Sequence, residues 1–435
     1  MTALFRNDKP GEYPDSWYTA STEIPPERPS LKGEVTADVC VIGAGFTGLS
    51  AALYLAERGL SVTVLEAHRA GFGASGRNGG QVGSGFNKGQ RWIEAKVGRD
   101  AARALWDMAE AAKAQVRDLS AKHAPEARYL PGVAHGEYSA SEAGEVRAEI
   151  EHLHRAYGYD QVDILSQSDI QALVKTKLYK GGVLDRGAGH IHPLRYALGL
   201  ARAAEAAGAT ILERSPVTEV VHGTPSRIYT AGGTVLAQHV IFAGNGYLPA
   251  NLERRISARV MPINSFIAAT EPLGDRWTEI LARDIAVADS KFVVNYYRMS
   301  EDRRFLFGGR ESYTLGFPSD ITTKLRERMV TLFPQLGDVK IDYVWGGTLG
   351  ITMTRVPAVM RVAPNAMAAA GFSGHGVALS GFAGRVMAEA IAGQAERFDI
   401  LSKLPTPPFP GGSALRAPLL TLAMTWYSLR DRLGV

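Results

Sequence analysis

A single cysteine, Cys40, stands in 435 residues, which excludes an intrachain disulfide, a CxxC redox pair and a cysteine-rich metal site. No stretch approaches the roughly 18 to 20 apolar residues that a spanning helix needs. The first residues, MTALFRNDKPGEYPDSWY, carry no apolar core of the length a secretory signal uses. The expectation is a soluble cytoplasmic protein. Basic residues exceed acidic ones by a net +4, yet the two signs are interleaved and no block of five like charges occurs. Aromatic-basic repeats are missing as well, so no nucleic-acid partner is expected. Neither HExxH nor a nucleophile elbow is present, and there is no internal repeat or low-complexity segment.

What is abundant is glycine, 47 residues unevenly placed, and that unevenness locates the chemistry. Residues 38–42 (DVCVI) read as a short buried strand, 43–48 (GAGFTG) as a turn, and 49–58 (LSAALYLAER) as a helix stopped by Gly59. Residues 62–65 (VTVL) form a second strand ending at Glu66, which closes a βαβ unit. A bare GxGxxG is weak evidence, but here it follows a strand, opens a helix and has an acid 21 residues beyond Gly45. Gly43 permits the turn, Gly45 lets backbone approach a diphosphate, and Gly48 lets helix and strand pack closely. The helix N-terminus, with Phe46 and Thr47, supplies the positive pole. Glu66 suits the ribose hydroxyls and would repel a 2′-phosphate.

Eight glycines between Gly71 and Gly89 then distinguish FAD from NAD. Such a run lets backbone lie against a large flat ring, with Ser75, Arg77, Asn78 and Gln81 offering polar contacts beside Gly79 and Gly80. A mobile surface loop is the alternative. Neither GSGFNKG (83–89) nor GNGYLP (244–249) makes a second nucleotide fingerprint, so electrons are expected to enter directly from an organic substrate. Near the C-terminus GFSGHG (371–376) opens a helix, whose N-terminal amides at Ser373 to Val377 would stabilise negative charge developing on a reduced flavin. A protonated His375 would add to this. His190 and His192 stand in an HxH spacing that serves a loop, a cavity wall or, with a third ligand that is not evident, a metal; no metal is expected.

These segments, with RGAGHIHP, YYRMSEDRRFLFGG and the terminal YSLRDRLGV, resemble the D-amino acid oxidase superfamily, and within it the bacterial γ-glutamylputrescine oxidoreductases. The resemblance runs from about residue 17 to the end. It implies an α/β fold (α+β overall): a Rossmann-type FAD-binding domain with an inserted, mainly antiparallel β-sheet substrate domain. The segmentation is an arm at 1–36, FAD-binding pieces at 37–95, 181–258 and 345–400, substrate-domain pieces at 96–180 and 259–344, and a tail helix at 401–435. The apolar run 417–427 is read as docked, with an interfacial membrane helix as its alternative. The resemblance also implies non-covalent FAD, since the glycine-rich loop lacks histidine and Cys40 lies in the first strand. Further cofactor contacts are implied at Ala67, Val217, Gly244, Gly347, Gly374 and Gly376. After Trp345 the chain reads WGGTLGITMTRVP, a departure from the polar pattern expected beside the flavin.

The activity implied is oxidation of an amine C–N bond by hydride transfer to flavin N5, with γ-glutamylputrescine as the leading substrate. The amine would bind neutral, and no convincing catalytic base is evident in the sequence. Oxygen or another acceptor would reoxidise the flavin. A small secondary or D-amino acid is the alternative substrate, and a non-catalytic nucleotide-binding module is disfavoured because GFSGHG would then have no purpose. Tyr296, Tyr297 and Arg298 lie on a strand with one face toward a cavity. Arg298 is expected to grip a substrate carboxylate, or else to pair with Glu301 or Asp302 at its hairpin.

Overall fold

The computed structural model describes residues 6–312 and 316–410; most of the expected tail helix lies outside them. Two large sheets organise the chain. The first has eight strands, with the path Ala358–Ala363, Ala366–Ala370, Gly233–Phe242, Gly33–Ile42, Val62–Leu65 and Thr210–Leu212. From Ala366–Ala370 to Thr210–Leu212 every neighbour is parallel. Central strands of this kind are covered on both faces and so read as continuous apolar runs. Val39, Val41 and Val64 point into one core with the helices Phe46–Ala56, Pro193–Ala206 and Gly376–Ile391. Cys40, Ile42 and Leu65 point into the other.

The second sheet has nine strands, in the order Ile341–Ile351, Met261–Pro272, Arg304–Ser312, Tyr296–Met299, Ala286–Asp289, Leu130–Glu137, Gly181–His190 and Gln81–Val82, with Val162–Leu165 also on Gly181–His190. All its pairs are antiparallel except Ala286–Asp289 with Leu130–Glu137. Several of the expected boundaries therefore differ. Gly181–His190 and Gln81–Val82 belong to this sheet, not to the nucleotide-binding side, the helix Arg99–His123 packs in the core of the first domain, and the strand Ile341–Ile351 runs across the boundary expected after 344. Ladder pairing and helix packing, invisible in local sequence, decide these.

Side chains alternate across this sheet. Ala134, Val287, Tyr297, Phe307 and Ala268 lie on the face packed against the helix Ile321–Leu332. Tyr296, Leu306 and Ile267 lie on the other, against Leu194 and Leu198 of the helix Pro193–Ala206. That second face looks toward the first domain.

The N-terminal arm is built into the protein. Trp17 and Tyr18 are buried in the cluster between the two domains. Glu213, wholly buried, accepts hydrogen bonds from Arg69 Nε (2.7 Å), Arg28 Nη1 (3.0 Å) and the amides of Arg28 and Ala70 (both 2.9 Å).

Candidate active site

A cavity of about 670 Å³ opens at the carboxyl ends of the parallel strands, where ligands bind in open α/β sheets. Its wall includes Gly43, Gly45, Phe46 and Thr47 of the first turn and Glu66 and Ala67 after the second strand. Ser75, Asn78, Val217 and Gly244 line it too, with Ser373, Gly374, Gly376 and Val377 from the last glycine turn. These pieces are far apart in sequence. The topology brings them together.

At the fingerprint, Gly48 is a packing residue: a Cβ there would stand 1.9 Å from Gly43 O. The helix Phe46–Ala56 begins at Gly45 without a side-chain cap at that residue, and Phe46 N donates to Ser75 Oγ at 2.9 Å. Glu66 Oε2 accepts from Ala44 N at 2.7 Å and Oε1 from His68 N at 2.9 Å. Burial raises its pKa and these backbone hydrogen bonds oppose the shift.

The glycine-rich loop is fixed, which corrects the mobile-loop alternative. Arg77 does not line the cavity. It is buried, with Nε on Phe72 O (2.7 Å) and Nη1 on Gly346 O (3.2 Å) and on Asp8 Oδ1 (2.8 Å). Gly347 lies against its side chain, outside the cavity wall. Trp345 Nε1 donates to Arg77 O at 3.0 Å. Asn78 stitches the turn through Ala74 O, Ser75 O and Gly80 N. Gly79 lies under the Tyr296 ring, and Gly80 has φ +79° with no room for a Cβ, which would meet Ile191 O at 2.1 Å. Gln81 Nε2 donates to Val287 O at 2.8 Å, strapping the loop to the second sheet.

Three expected catalytic roles change. Arg298 is buried, and its donors go to Gly79 O (2.8 Å), Met299 O, Ile191 O and Tyr18 OH (each 3.2 Å). Glu301 pairs instead with Arg195 and Arg128, and Asp302 with Arg304. Arg298 therefore presents no two-pronged fork to a ligand, nor does it hold the hairpin acids. It clamps the glycine-rich loop. Tyr297 lies on the far face of its strand, with its hydroxyl 2.9 Å from Tyr179 OH in the apolar core, as strand alternation requires once Tyr296 faces the first domain. Tyr296 OH is 3.2 Å from Ser265 Oγ.

His375 packs its ring against Gly83, and burial lowers its pKa, so it is neutral and adds no positive charge. The backbone of that turn keeps its expected place. Gly374 has φ +86°, Gly376 and Val377 open the helix Gly376–Ile391, and its N-cap His375 makes no capping hydrogen bond. His190 and His192 are buried near Arg298, away from the large cavity, and among the described residues no group of three or more His, Cys, Asp or Glu could hold a metal.

Several wall residues carried no motif. Pro10 comes from the arm, His68 and Phe72 are stacked 3.9 Å apart, and Arg214, Asn245, Tyr247, Leu349 and Gly350 complete the wall. GNGYLP could have flagged Asn245 and Tyr247, since it follows a parallel strand at its carboxyl end.

The model of the family described as FAD dependent oxidoreductase, DAO, matches residues 38–390. The chain belongs to the DAO family of FAD-dependent oxidoreductases. It is 41% identical over 418 residues to the probable oxidoreductase OrdL of Rhizobium meliloti, covering 96% of this chain and 97% of that one. To the γ-glutamylputrescine oxidoreductase of Escherichia coli it is 39% identical over 425 residues, covering 98% of this chain and all of the other. Among solved structures, glycine oxidase from Geobacillus kaustophilus superimposes with a TM-score of 0.69 at 21% identity, over 83% of this chain and 95% of that one. L-proline dehydrogenase from P. horikoshii gives 0.68 at 21% identity, over 93% and 99%.

As a DAO-family member the chain is an enzyme, an oxidoreductase with FAD as cofactor. The cavity fits that group in kind. Two glycine turns at two helix N-termini share it, and it has an acid at the end of the second strand. No helix among the described residues is long and apolar enough to cross a membrane.

Proposed function

We propose that this enzyme oxidises the terminal amine of γ-glutamylputrescine to an imine that water hydrolyses, giving the aminoaldehyde with ammonia and, when oxygen is the acceptor, hydrogen peroxide. The observation that carries the reading is the end-to-end likeness to the E. coli γ-glutamylputrescine oxidoreductase. Bound FAD supplies the two-electron acceptor. The residues of the chain supply orientation and charge stabilisation. The glycine-rich loop, held by Arg77 and Arg298 through main-chain carbonyls, fixes one wall. The amides at Gly376 and Val377 open a helix and would stabilise negative charge developing on the bound cofactor without reorganisation. The engagement of Arg298 with carbonyls favours an amine over a small amino acid gripped there by its α-carboxylate. The reading retains non-covalent FAD, a cytoplasmic location, and oxygen or another small electron acceptor as second substrate.

The test is anaerobic reduction of the purified yellow protein. γ-Glutamylputrescine should bleach the flavin at least about ten times faster than putrescine, pipecolate, sarcosine or D-alanine at equal concentration, the discrimination expected when polar groups recognise the acylated end. Faster bleaching by an amino acid would replace the substrate assignment.

A further inference from the structure

We propose that His135 is the general base of this enzyme, taking the proton from the substrate's ammonium group so that the amine reaches the flavin uncharged. The inference rests on the amine-oxidation reading above and assigns the base that the sequence does not reveal.

The placement comes from ladder register. His135 pairs with Ala288, and Ala288 pairs with Tyr296, so the three share one face of the second sheet. It is the face of Tyr296, Leu306 and Ile267, turned toward the first domain. With strands spaced about 4.8 Å apart, His135 and Tyr296 stand about 10 Å from each other across the ladder. Between them Ala288 contributes only a methyl group. The Tyr296 ring leans away from Ala288, over Gly308, with its hydroxyl toward Ser265. On this face an imidazole and a phenol therefore stand two strands apart, with only a methyl group between them. The glycine-rich loop packs on the same face: Gly79 touches Tyr296, and Gln81 is tied to Val287 O, next to Ala288.

The chemistry comes from the partner. His135 Nδ1 lies 2.6 Å from Glu137 Oε1; the Glu137 side chain is 1% exposed and that of His135 40%. A carboxylate accepting from Nδ1–H fixes the tautomer and leaves the Nε2 lone pair free to take a proton. One N–H bond of the ammonium breaks, its electron pair stays on the substrate nitrogen, and a new N–H bond forms at Nε2. The imidazole becomes an imidazolium stabilised by Glu137, and nothing is oxidised in this step. The open edge of the ring then passes the proton to water. Burial by itself would lower the His135 pKa, but the Glu137 hydrogen bond and charge, with the charges of Asp289 and Glu142, outweigh it and raise it. Glu137 is on the strand of His135 itself, Glu142 on the helix Ala140–His152 that follows it, and Asp289 on the neighbouring strand, where alternation turns it to the opposite face of the sheet. Asp289 is itself committed to Tyr138 and Asn295.

The experiment is the pH dependence of flavin reduction in the full-length holoenzyme, from pH 6 to 10, with the amine that bleaches it fastest in the panel above. His135→Asn should retain FAD and its melting temperature while losing about 100-fold in kcat/KM near pH 7. The gap should narrow as pH approaches the substrate's own pKa, where the amine is already neutral. Glu137→Gln should move the acidic limb of the profile to lower pH, because the group that raises the His135 pKa is removed. A profile for His135→Asn that runs parallel to wild type at every pH, whether lower or unchanged, overturns the assignment and leaves the amine-oxidation reading intact. Failure of every amine to bleach the wild-type flavin sinks both.

Discussion

Asp8 Oδ1 accepts a hydrogen bond from Arg77 Nη1 at 2.8 Å, with the two side chains only 7% and 2% exposed. This ion pair joins the N-terminal arm to the glycine-rich loop at the cofactor cavity, and Pro10, two residues on, is part of the cavity wall. Breaking a buried pair by removing one partner strands the other charge, at a cost of about 3 to 5 kcal/mol. Asp8→Ala should lower the stability of the holoenzyme by that order in urea melts and hasten FAD loss on dialysis. Unchanged melting and retention would show that the arm is dispensable.

Glu66→Ala should weaken FAD binding without unfolding the protein. The carboxylate organises Ala44 N and His68 N and is the acid proposed to meet the ribose. Loss of a charged hydrogen bond costs about 1.5 to 3 kcal/mol, or ~10- to 150-fold in Kd. Fluorescence titration of the apoprotein measures this directly, and an unaltered Kd would mean that the fingerprint has been misread.

Arg298→Lys should reduce activity on every substrate to a similar extent. A lysine cannot reproduce contacts to Gly79, Ile191, Met299 and Tyr18 that spread over the guanidinium. Steady-state kinetics on γ-glutamylputrescine and on an N-acylated diamine without a carboxylate distinguish the roles. A loss confined to the carboxylate-bearing substrate would restore Arg298 to the ligand.

Flavin should leave with acid. Cys40 is fully buried between Thr63 and Val240 in the first sheet, and burial pushes its thiol pKa up, both of which disfavour a covalent link there. Trichloroacetic acid precipitation should give a yellow supernatant; colour retained in the pellet would refute non-covalent binding.

Two buried histidines set an acid limit on stability. Burial lowers His68 to about 4 and His190 to about 3, with Arg298 adding to the shift at His190. Both are neutral in the fold, while in the unfolded chain they titrate near 6.5. The native state therefore binds fewer protons below about pH 6.5, and stability falls as the pH drops from there toward 4 and 3. Their contribution is fully present above about 6.5. Urea midpoints measured from pH 7.5 to 4 should decline, and His190→Gln should flatten the decline. A midpoint independent of pH over that range would contradict the burial of these rings in solution.

The nucleotide-binding half was legible because its determinants are local. Gly43, Gly45, Gly48 and Glu66 sit on one βαβ unit; Gly43 is needed for its φ of +108° in the turn, and Gly48 because a Cβ there would strike Gly43 O. GFSGHG could be read for the same reason, as a turn that opens a helix. The sequence alone therefore settles the cofactor domain, the single buried cysteine and the type of chemistry. Tertiary structure decides the rest. Whether Tyr296 or Tyr297 faces the first domain depends on sheet register, which a one-residue slip would invert. Whether Arg298 meets a ligand depends on carbonyls of Gly79 and Ile191, which only the packing of the two domains brings near. His135 carries no motif at all. Its neighbours on the same face of the sheet, Ala288 and Tyr296, are more than 150 residues away along the chain, and hydrogen bonds across the ladder alone bring them together.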